Sequence, residues 1–180
     1  MKRVGFVVAM LISLLVSAVQ ATVLVPADLA ELSREAQIIA RGQVVAIDAR
    51  WADGRRSIET VVTLETESYL KGEAGRMVQF RVPGGTMGRY RNIVMGAPQF
   101  SVGQRVVVFL GANGPRVPYI LGLSQGVYRL GVAASGDVLV SPPPVMPGVT
   151  GPIVRGAATR QAAPLADFER SVRALAGDAR

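Results

Sequence analysis

Alternation of apolar and polar residues is the dominant pattern in the central part of the chain. It is clearest over residues 58–70, where isoleucine, valine and leucine recur on one face. A period of two is the signature of a half-buried β-strand. Residues 38–51 form a second apolar-rich stretch around Gly42, and a turn sequence at 52–55 separates the two stretches. The pattern predicts a long antiparallel hairpin with a bulge or sharp bend at Gly42.

Shorter apolar stretches extend this pattern toward the C-terminus. Residues 105–110 are apolar at every position after the arginine, as expected for a strand that is buried on both faces. Residues 86–104 contain glycines and prolines without a clear period, which predicts a long connection of the kind that often carries function. Further short strands are predicted at 78–82, 119–123, 127–130 and 138–140.

Apolar residues at helical spacing flank the predicted strands on both sides. Residues 26–37 predict a short helix, and an apolar stripe within 164–180 predicts an amphipathic helix. Residues 141–163 are rich in proline and glycine and predict an extended linker. The predicted organisation is therefore a mainly β domain at 22–140, followed by this linker and a C-terminal helix.

The first residues of the chain have the pattern of a secretory signal peptide. Lys2 and Arg3 precede an apolar run that ends in small residues, so residues 1–21 are expected to be removed by cleavage after Ala21. Cleavage after Ala18 and an uncleaved anchor are the alternatives. The run is shorter than the roughly 20 residues of a spanning helix, so no stable membrane span is expected after cleavage. The expected location is secreted or periplasmic.

Composition narrows the possible chemistry, because the chain contains no cysteine and no histidine. Disulfides and a lipid-modified cysteine are excluded, and zinc, copper and iron sites lose their usual ligands. A Ser-His-Asp triad is likewise impossible. Asp48, Asp53 and Glu59 form the nearest carboxylate cluster, but they lack the spacing of a calcium loop and predict a solvated turn. Neither a metal nor a cofactor is expected.

The basic residues are almost all arginines, and the formal net charge is +7 at pH 7. Such a charge indicates either an anionic partner or a basic proteome with an arginine-rich bias. The arginines are scattered along the chain, which favours the second interpretation. Nucleic acid is not an expected partner for an exported protein.

Two catalytic arrangements remain open for a hydrolase. Lys71 is the only lysine of the expected mature chain, so a Ser-Lys dyad is formally possible, but Lys71 lies in a predicted turn where an exposed side chain is expected. Neither Ser101 nor Ser124 lies in the setting of a nucleophile elbow. Glu65 and Glu67 share one strand face. Acid–base catalysis needs one of two carboxylates in an apolar pocket, whereas this face is predicted to be the wet outer side of the sheet.

The long connection offers the best candidate for a binding surface. It carries Arg89, Tyr90 and Arg91, which are residue types that protein interfaces favour, and glycines that shape the backbone. The Ser-Gln-Gly segment at 124–126 is a second exposed-type turn. The predicted binding residues are Gly84, Gly85, Arg89, Tyr90, Arg91, Ser124, Gln125 and Gly126.

The order of these elements and several short motifs carry a family resemblance. A strand containing Ala-Arg-Gly-X-Val-Val is followed by Leu-Lys-Gly at 70–72, Val-Pro-Gly-Gly at 82–85, Gly-Ala-Pro-Gln-Phe at 96–100 and Ser-Gln-Gly at 124–126. The set resembles the tissue-inhibitor-of-metalloproteinases/netrin-like domain, and it is similar to an uncharacterised group of exported bacterial proteins. The resemblance covers about residues 29–130. It implies a small OB-like barrel of five to six antiparallel strands, with a short N-terminal helix and an amphipathic C-terminal helix.

The resemblance does not extend to the chemistry of those inhibitors. They begin with a cysteine whose amine and carbonyl chelate the protease zinc, whereas this chain has no cysteine and its expected first residue is Thr22. The preferred hypothesis is an exported, non-enzymatic binding module that engages an extracytoplasmic protease or another exported protein through residues 84–100. The alternatives are the hydrolase described above and an envelope protein that binds anionic polysaccharide or lipid.

Overall fold

The computed structural model describes residues 27–114, 116–143 and 161–177. The predicted signal peptide, its cleavage sites and most of the predicted linker lie outside these residues. The two helices are α1 (Leu29–Glu35) and α2 (Leu165–Gly177). The strands are β1 (Ile38–Ala52), β2 (Ser57–Lys71), β3 (Met77–Pro83), β4 (Gly85–Met87), β5 (Tyr90–Asn92), β6 (Arg105–Gly111), β7 (Tyr119–Ile120), β8 (Val127–Val132), β9 (Val138–Ser141) and β10 (Ala163–Pro164).

Five strands close into a barrel-like ring, which confirms the predicted fold class. The order around the ring is β1–β2–β3–β7–β6, and β6 pairs back onto β1. Most pairs are antiparallel, but β3 and β7 meet in parallel through a single pair, Arg81 and Tyr119. β8 pairs with β6 along the edge opposite to β1, and the sheet continues from β8 through β9 to β10.

The predicted bulge in β1 is present at Gly42. The pairing register of β1 against β2 shifts between Arg41 and Gly42, and a Cβ on Gly42 would lie 2.1 Å from the Glu65 carbonyl oxygen. The bulge therefore depends on glycine for close approach of two backbones. The bend allows one long strand to pair with β2 along its length and with β6 through its first residues, 38–43.

The buried side chains form two cores on opposite faces of the sheet. β6 belongs to both, because Val106, Val108 and Leu110 point into the ring whereas Val107 and Phe109 point outward. This alternation explains why the β6 sequence is apolar at successive positions. The outer core is covered by the helices, with Phe168 and Val172 of α2 packed among its side chains.

A chain of ion pairs also ties α2 to the ring. Arg105 pairs with Glu67, which lies 3.2 Å from Arg41 Nε; Arg41 also donates a hydrogen bond to Glu169 of α2. Glu169 in turn pairs with Arg173 at 3.4 Å. We call these five residues the Arg41 ladder. Arg41 Nε is buried and has no well-aligned hydrogen bond among the described residues, so its 3.2 Å contact with Glu67 acts mainly through charge.

Three expectations about local structure were wrong. Residues 86–104 are not without secondary structure, because β4 and β5 form a hairpin within them. The strand predicted at 119–123 ends at Ile120, and a 3₁₀ turn follows at Leu123–Gly126. The outer face of β2 is solvated only in part, because Thr63 is 8 % exposed whereas the side chains of Glu65 and Glu67 are 39 % and 30 % exposed. In the part of the chain that the structure describes, no helix is long and apolar enough to cross a membrane.

Candidate functional site

The β4–β5 hairpin is folded back over the ring by two consecutive glycines. Gly84 and Gly85 have φ of +89° and +146°, in the range that glycine tolerates best. A Cβ on Gly85 would lie 2.6 Å from Thr60 Oγ1, and one on Gly84 would lie 2.9 Å from Asn92 O. The Thr60 hydroxyl donates a 2.8 Å hydrogen bond to Gly84 O, and Gly84 N–H donates to Ile58 O. The hairpin is therefore held against the start of β2.

The turn of this hairpin contains a signal that the sequence analysis missed. Met87 pairs with Tyr90, which leaves a two-residue loop of Gly88 and Arg89. Gly88 has φ of +59°, and Arg89 has no positive φ. Glycine at the first central position is typical of a type II′ turn, whose twist suits a tight hairpin. The Gly-Arg dipeptide at 88–89, between two short stretches, was thus the sequence signal that could have predicted this hairpin.

The turn places an aromatic and cationic cluster on the outside of the molecule. The Tyr90 ring meets the Trp51 ring edge-on, with 5.3 Å between centroids and 66° between planes. The Arg89 guanidinium lies 5.1 Å from the Tyr90 ring centre and donates a 3.0 Å hydrogen bond to the Tyr90 hydroxyl. Tyr90 is thereby fixed from both sides although its side chain is 48 % exposed.

Apolar side chains continue this cluster beyond β5. Ile93 and Met95 are 68 % and 70 % exposed. Single exposed apolar residues are ordinary, but here they follow Tyr90 within a few positions, between exposed arginines and a cleft. We define the 89–95 surface as Arg89, Tyr90, Arg91, Ile93 and Met95.

Two clefts lie beside the hairpin, and Pro83, Gly84, Asn92 and Val94 line both of them. The first cleft, of about 300 Å³, opens between the hairpin and residues 97–100. The second, of about 570 Å³, extends from the hairpin to Glu59 and Leu123. The β4–β5 hairpin and the chain after it therefore form the wall between two concave surfaces.

The segment 124–126 meets the long connection through its backbone. Ser124 N–H donates a 2.9 Å hydrogen bond to Gly96 O, so the structure brings the two predicted binding segments together. The side chain of Gln125 is turned inward, where Oε1 accepts a hydrogen bond from Ala27 N–H and the residue is 7 % exposed. A Cβ on Gly126 would lie 2.1 Å from Leu121 O. Gln125 and Gly126 thus serve the fold of this region.

The sequence analysis also missed a segregation of charge. Residues 74–136 contain seven arginines and no aspartate or glutamate. Three of these arginines are paired with carboxylates of β2: Arg76, Arg81 and Arg105. Within the described residues, Arg89 and Arg91 contact no carboxylate, and the exposed Arg91 guanidinium borders the first cleft. The 89–95 surface is therefore cationic as well as apolar.

Lys71 was expected to be exposed, and this prediction is wrong. It is half-buried, and its Nζ donates 2.9 Å hydrogen bonds to the carbonyl oxygens of Ser33 and Arg34 at the end of α1. Cations favour this end of a helix, so the lysine caps α1. Ser33 is fully buried, and its hydroxyl donates to Leu29 O.

The carboxylates of β2 are likewise engaged by arginines. Arg105 donates hydrogen bonds to both oxygens of Glu67. These bonds lower the pKa of Glu67, with partial burial opposing them and the charges of Arg105 and Arg41 adding to them. Arg76 donates to Glu65, and Arg50 donates to Glu59. The described residues contain no group of three carboxylates arranged to hold a metal ion.

Comparison of the chain with protein-family models, with curated proteins and with solved structures finds no match in any of the three.

Proposed function

We propose that this protein is an exported, non-enzymatic binding module and that its partner docks on the 89–95 surface. The observation that carries the proposal is the exposure of Tyr90, Ile93 and Met95 close to two arginines, with a cleft on each side of the hairpin. Tyrosine, methionine and arginine are enriched where proteins bind one another. Export rests on the signal-peptide pattern of residues 1–21.

The rigidity of the hairpin supports a role in docking. Gly84 and Gly85 anchor it to β2, and the Trp51 ring supports Tyr90 from below. A preorganised aromatic side chain loses little conformational freedom on binding, so more of the contact energy remains as affinity. We place the partner among exported proteins, and the resemblance to metalloproteinase inhibitors makes a protease the first candidate class.

The hydrolase alternative has less support. The Nζ atom of Lys71 is occupied by two backbone carbonyls, and the neighbouring Ser33 side chain is inaccessible to a substrate. The carboxylates Glu65 and Glu67 are both paired with arginines. None of these groups lines either cleft beside the hairpin.

Arg89 and Arg91, which contact no carboxylate among the described residues, support a second candidate, an envelope protein that binds anionic polysaccharide or lipid. An interaction of this kind weakens steeply with ionic strength, because exposed charges are screened over about 10 Å at 0.1 M salt. Docking on the apolar side chains is much less sensitive to salt. The salt dependence of binding therefore separates the two candidates.

The test is affinity capture from the extracytoplasmic fraction of the source cells, with residues 22–180 as bait. The expected result is a saturable protein partner that is lost when Arg89, Tyr90 and Arg91 are all replaced by alanine. Arg34→Ala provides the control, since Arg34 is an exposed arginine on α1, at the opposite end of β2 from the hairpin. Capture that is unchanged by the triple replacement contradicts docking at this surface.

A further inference from the structure

We infer that the partner segment recognised beside the hairpin is an acidic, extended peptide that carries apolar side chains. This inference rests on the proposed binding function and specifies the chemistry of its ligand. Three independent features carry it: arginines without a carboxylate partner among the described residues, apolar side chains in and beside the first cleft, and an edge of β5 that no described strand covers.

Charge complementarity decides the sign of the charge on the ligand. The stretch of chain that forms the hairpin contains no carboxylate, and no carboxylate is among the residues that line the first cleft. Arg89 is held by Tyr90, whereas the described residues offer the Arg91 side chain neither a hydrogen bond nor an ion pair. A planar guanidinium favours a carboxylate, which it binds with two parallel hydrogen bonds. A glutamate or aspartate on the ligand supplies that group.

Apolar side chains in and beside the first cleft decide the apolar character of the ligand. Its lining includes Ile47, Val82 and Phe100, which belong to or pack against the core inside the ring. The Phe100 ring meets Phe80 of that core edge-on, at 5.5 Å between centroids. A side chain entering the cleft therefore meets the half-buried apolar side chains of Ile47 and Phe100. Ile93, at the side of the cleft, offers further apolar contact.

The edge of β5 decides the conformation of the ligand. β4 and β5 form a two-stranded sheet of their own, so β5 has one neighbour among the described strands. A two-residue loop closes on a hydrogen-bonded pair, here Met87 and Tyr90, and such pairs alternate along an antiparallel ladder. The N–H and C=O groups of Arg91 therefore point away from β4. An extended peptide can pair with these groups, as in other cases of strand addition.

These features favour a peptide over the other anionic ligands. A glycan or a lipid headgroup satisfies the arginines, but neither supplies backbone donors for a strand edge. An acidic peptide that alternates charged and apolar residues satisfies all three features, because alternate side chains of a strand point to opposite faces.

Trp51 provides a built-in reporter for the test. It is the single tryptophan of the chain, and its ring touches Tyr90. The probe is a short synthetic peptide that alternates glutamate and leucine, titrated into residues 22–180 and followed by Trp51 fluorescence and calorimetry. A peptide with lysine in place of glutamate tests the charge. A backbone N-methylated glutamate–leucine peptide tests strand pairing.

The expected result is saturable binding of the glutamate–leucine peptide and none of the lysine–leucine peptide. Replacing both Arg89 and Arg91 by glutamine should raise Kd by at least about tenfold, as for the loss of charge-assisted hydrogen bonds. Arg34→Gln, which removes one exposed arginine on α1, should change Kd by less than about twofold. N-methylation should weaken binding about tenfold, because it removes backbone donors.

Several results overturn the inference. Equal binding of the two oppositely charged peptides removes the electrostatic argument, and unchanged affinity after N-methylation removes strand pairing. Tighter, arginine-dependent binding of dextran sulfate or of phosphatidylglycerol vesicles assigns the site to another class of ligand. If affinity capture yields a partner that needs Tyr90 but the acidic peptide neither binds nor competes, the binding function stands and this inference is wrong.

Discussion

Removing the charge of Glu169 should destabilise the protein because that carboxylate joins α2 to the ring. Its side chain is 13 % exposed and lies between Arg41, which is 19 % exposed, and Arg173. Glu169→Gln keeps the shape and an acceptor oxygen but removes the charge from a partly buried, charge-assisted hydrogen bond. Such bonds contribute about 1.5–3 kcal/mol. Arg41 keeps Glu67 as a neighbour, so the expected loss is near the lower end, about 2 kcal/mol.

A matched control lies on the same helix. Arg170 and Asp167 form an ion pair with 76 % and 57 % of their side chains exposed, and Arg170→Gln breaks it. Exposed pairs of this kind contribute at most about 0.5 kcal/mol. Each variant removes one unit charge from an ion pair on the same helix, and Arg170→Gln also shortens an exposed side chain, so a larger loss from Glu169→Gln reports the effect of burial.

The assay is urea unfolding followed by Trp51 fluorescence, at low and at moderate salt. Urea is preferred to guanidinium because it does not screen the ion pairs. Glu169→Gln should lower the free energy of unfolding by about 2 kcal/mol, or the melting temperature by about 4–8 °C, at both salt concentrations. A loss no larger than that of Arg170→Gln would refute the idea that the Arg41 ladder secures the helix.

Three further predictions concern the ring and the cap of helix α1. The Arg105 hydrogen bonds lower the pKa of Glu67 below its usual value of 4.5 in the folded protein, so they stabilise the fold above that value and the stabilisation is lost as the pH falls through the lowered pKa. Glu67→Gln should therefore reduce stability at neutral pH and flatten the acid side of a stability–pH curve obtained by urea unfolding. Gly42→Ala should destabilise by more than about 2 kcal/mol in thermal melts, because its Cβ meets the backbone of β2, whereas Gly131→Ala on β8, with open space around it, should have little effect. Lys71→Met should destabilise by about 1–2 kcal/mol in the same melts, since two carbonyls at the end of α1 lose their donor; an unchanged melting temperature contradicts the capping role.

Alternation predicted the strands wherever one face of a strand is buried over several residues. The period of two in 58–70 and the apolar run at 105–110 matched β2 and β6 closely. The bulge at Gly42 was equally readable, because glycine in an apolar strand signals a close backbone approach. These features are local consequences of backbone geometry, so a short window of sequence contains them.

The candidate site was only partly predictable, because a short window of sequence contains little of what defines it. Arg89, Tyr90 and Arg91 were recognised by residue type, but their hairpin was missed because strands of three residues leave almost no periodic signal. The contact between Ser124 and Gly96 and the inward turn of Gln125 involve residues far apart in the sequence. Lys71 was expected in solvent, since nothing near it in the chain reveals that the end of α1 lies within reach.

The sequence by itself determined which residues form strands and helices, that no thiol or imidazole chemistry is available, and where the candidate loop lies. Only the tertiary structure decided that β6 closes the ring on β1, that three of the seven arginines in 74–136 are paired with β2 carboxylates, and that Arg91 borders the first cleft with no ion pair to a described residue. The physical reason is that side-chain periodicity follows from local backbone geometry, whereas strand pairing, ion pairing and burial depend on which distant segments share the same space.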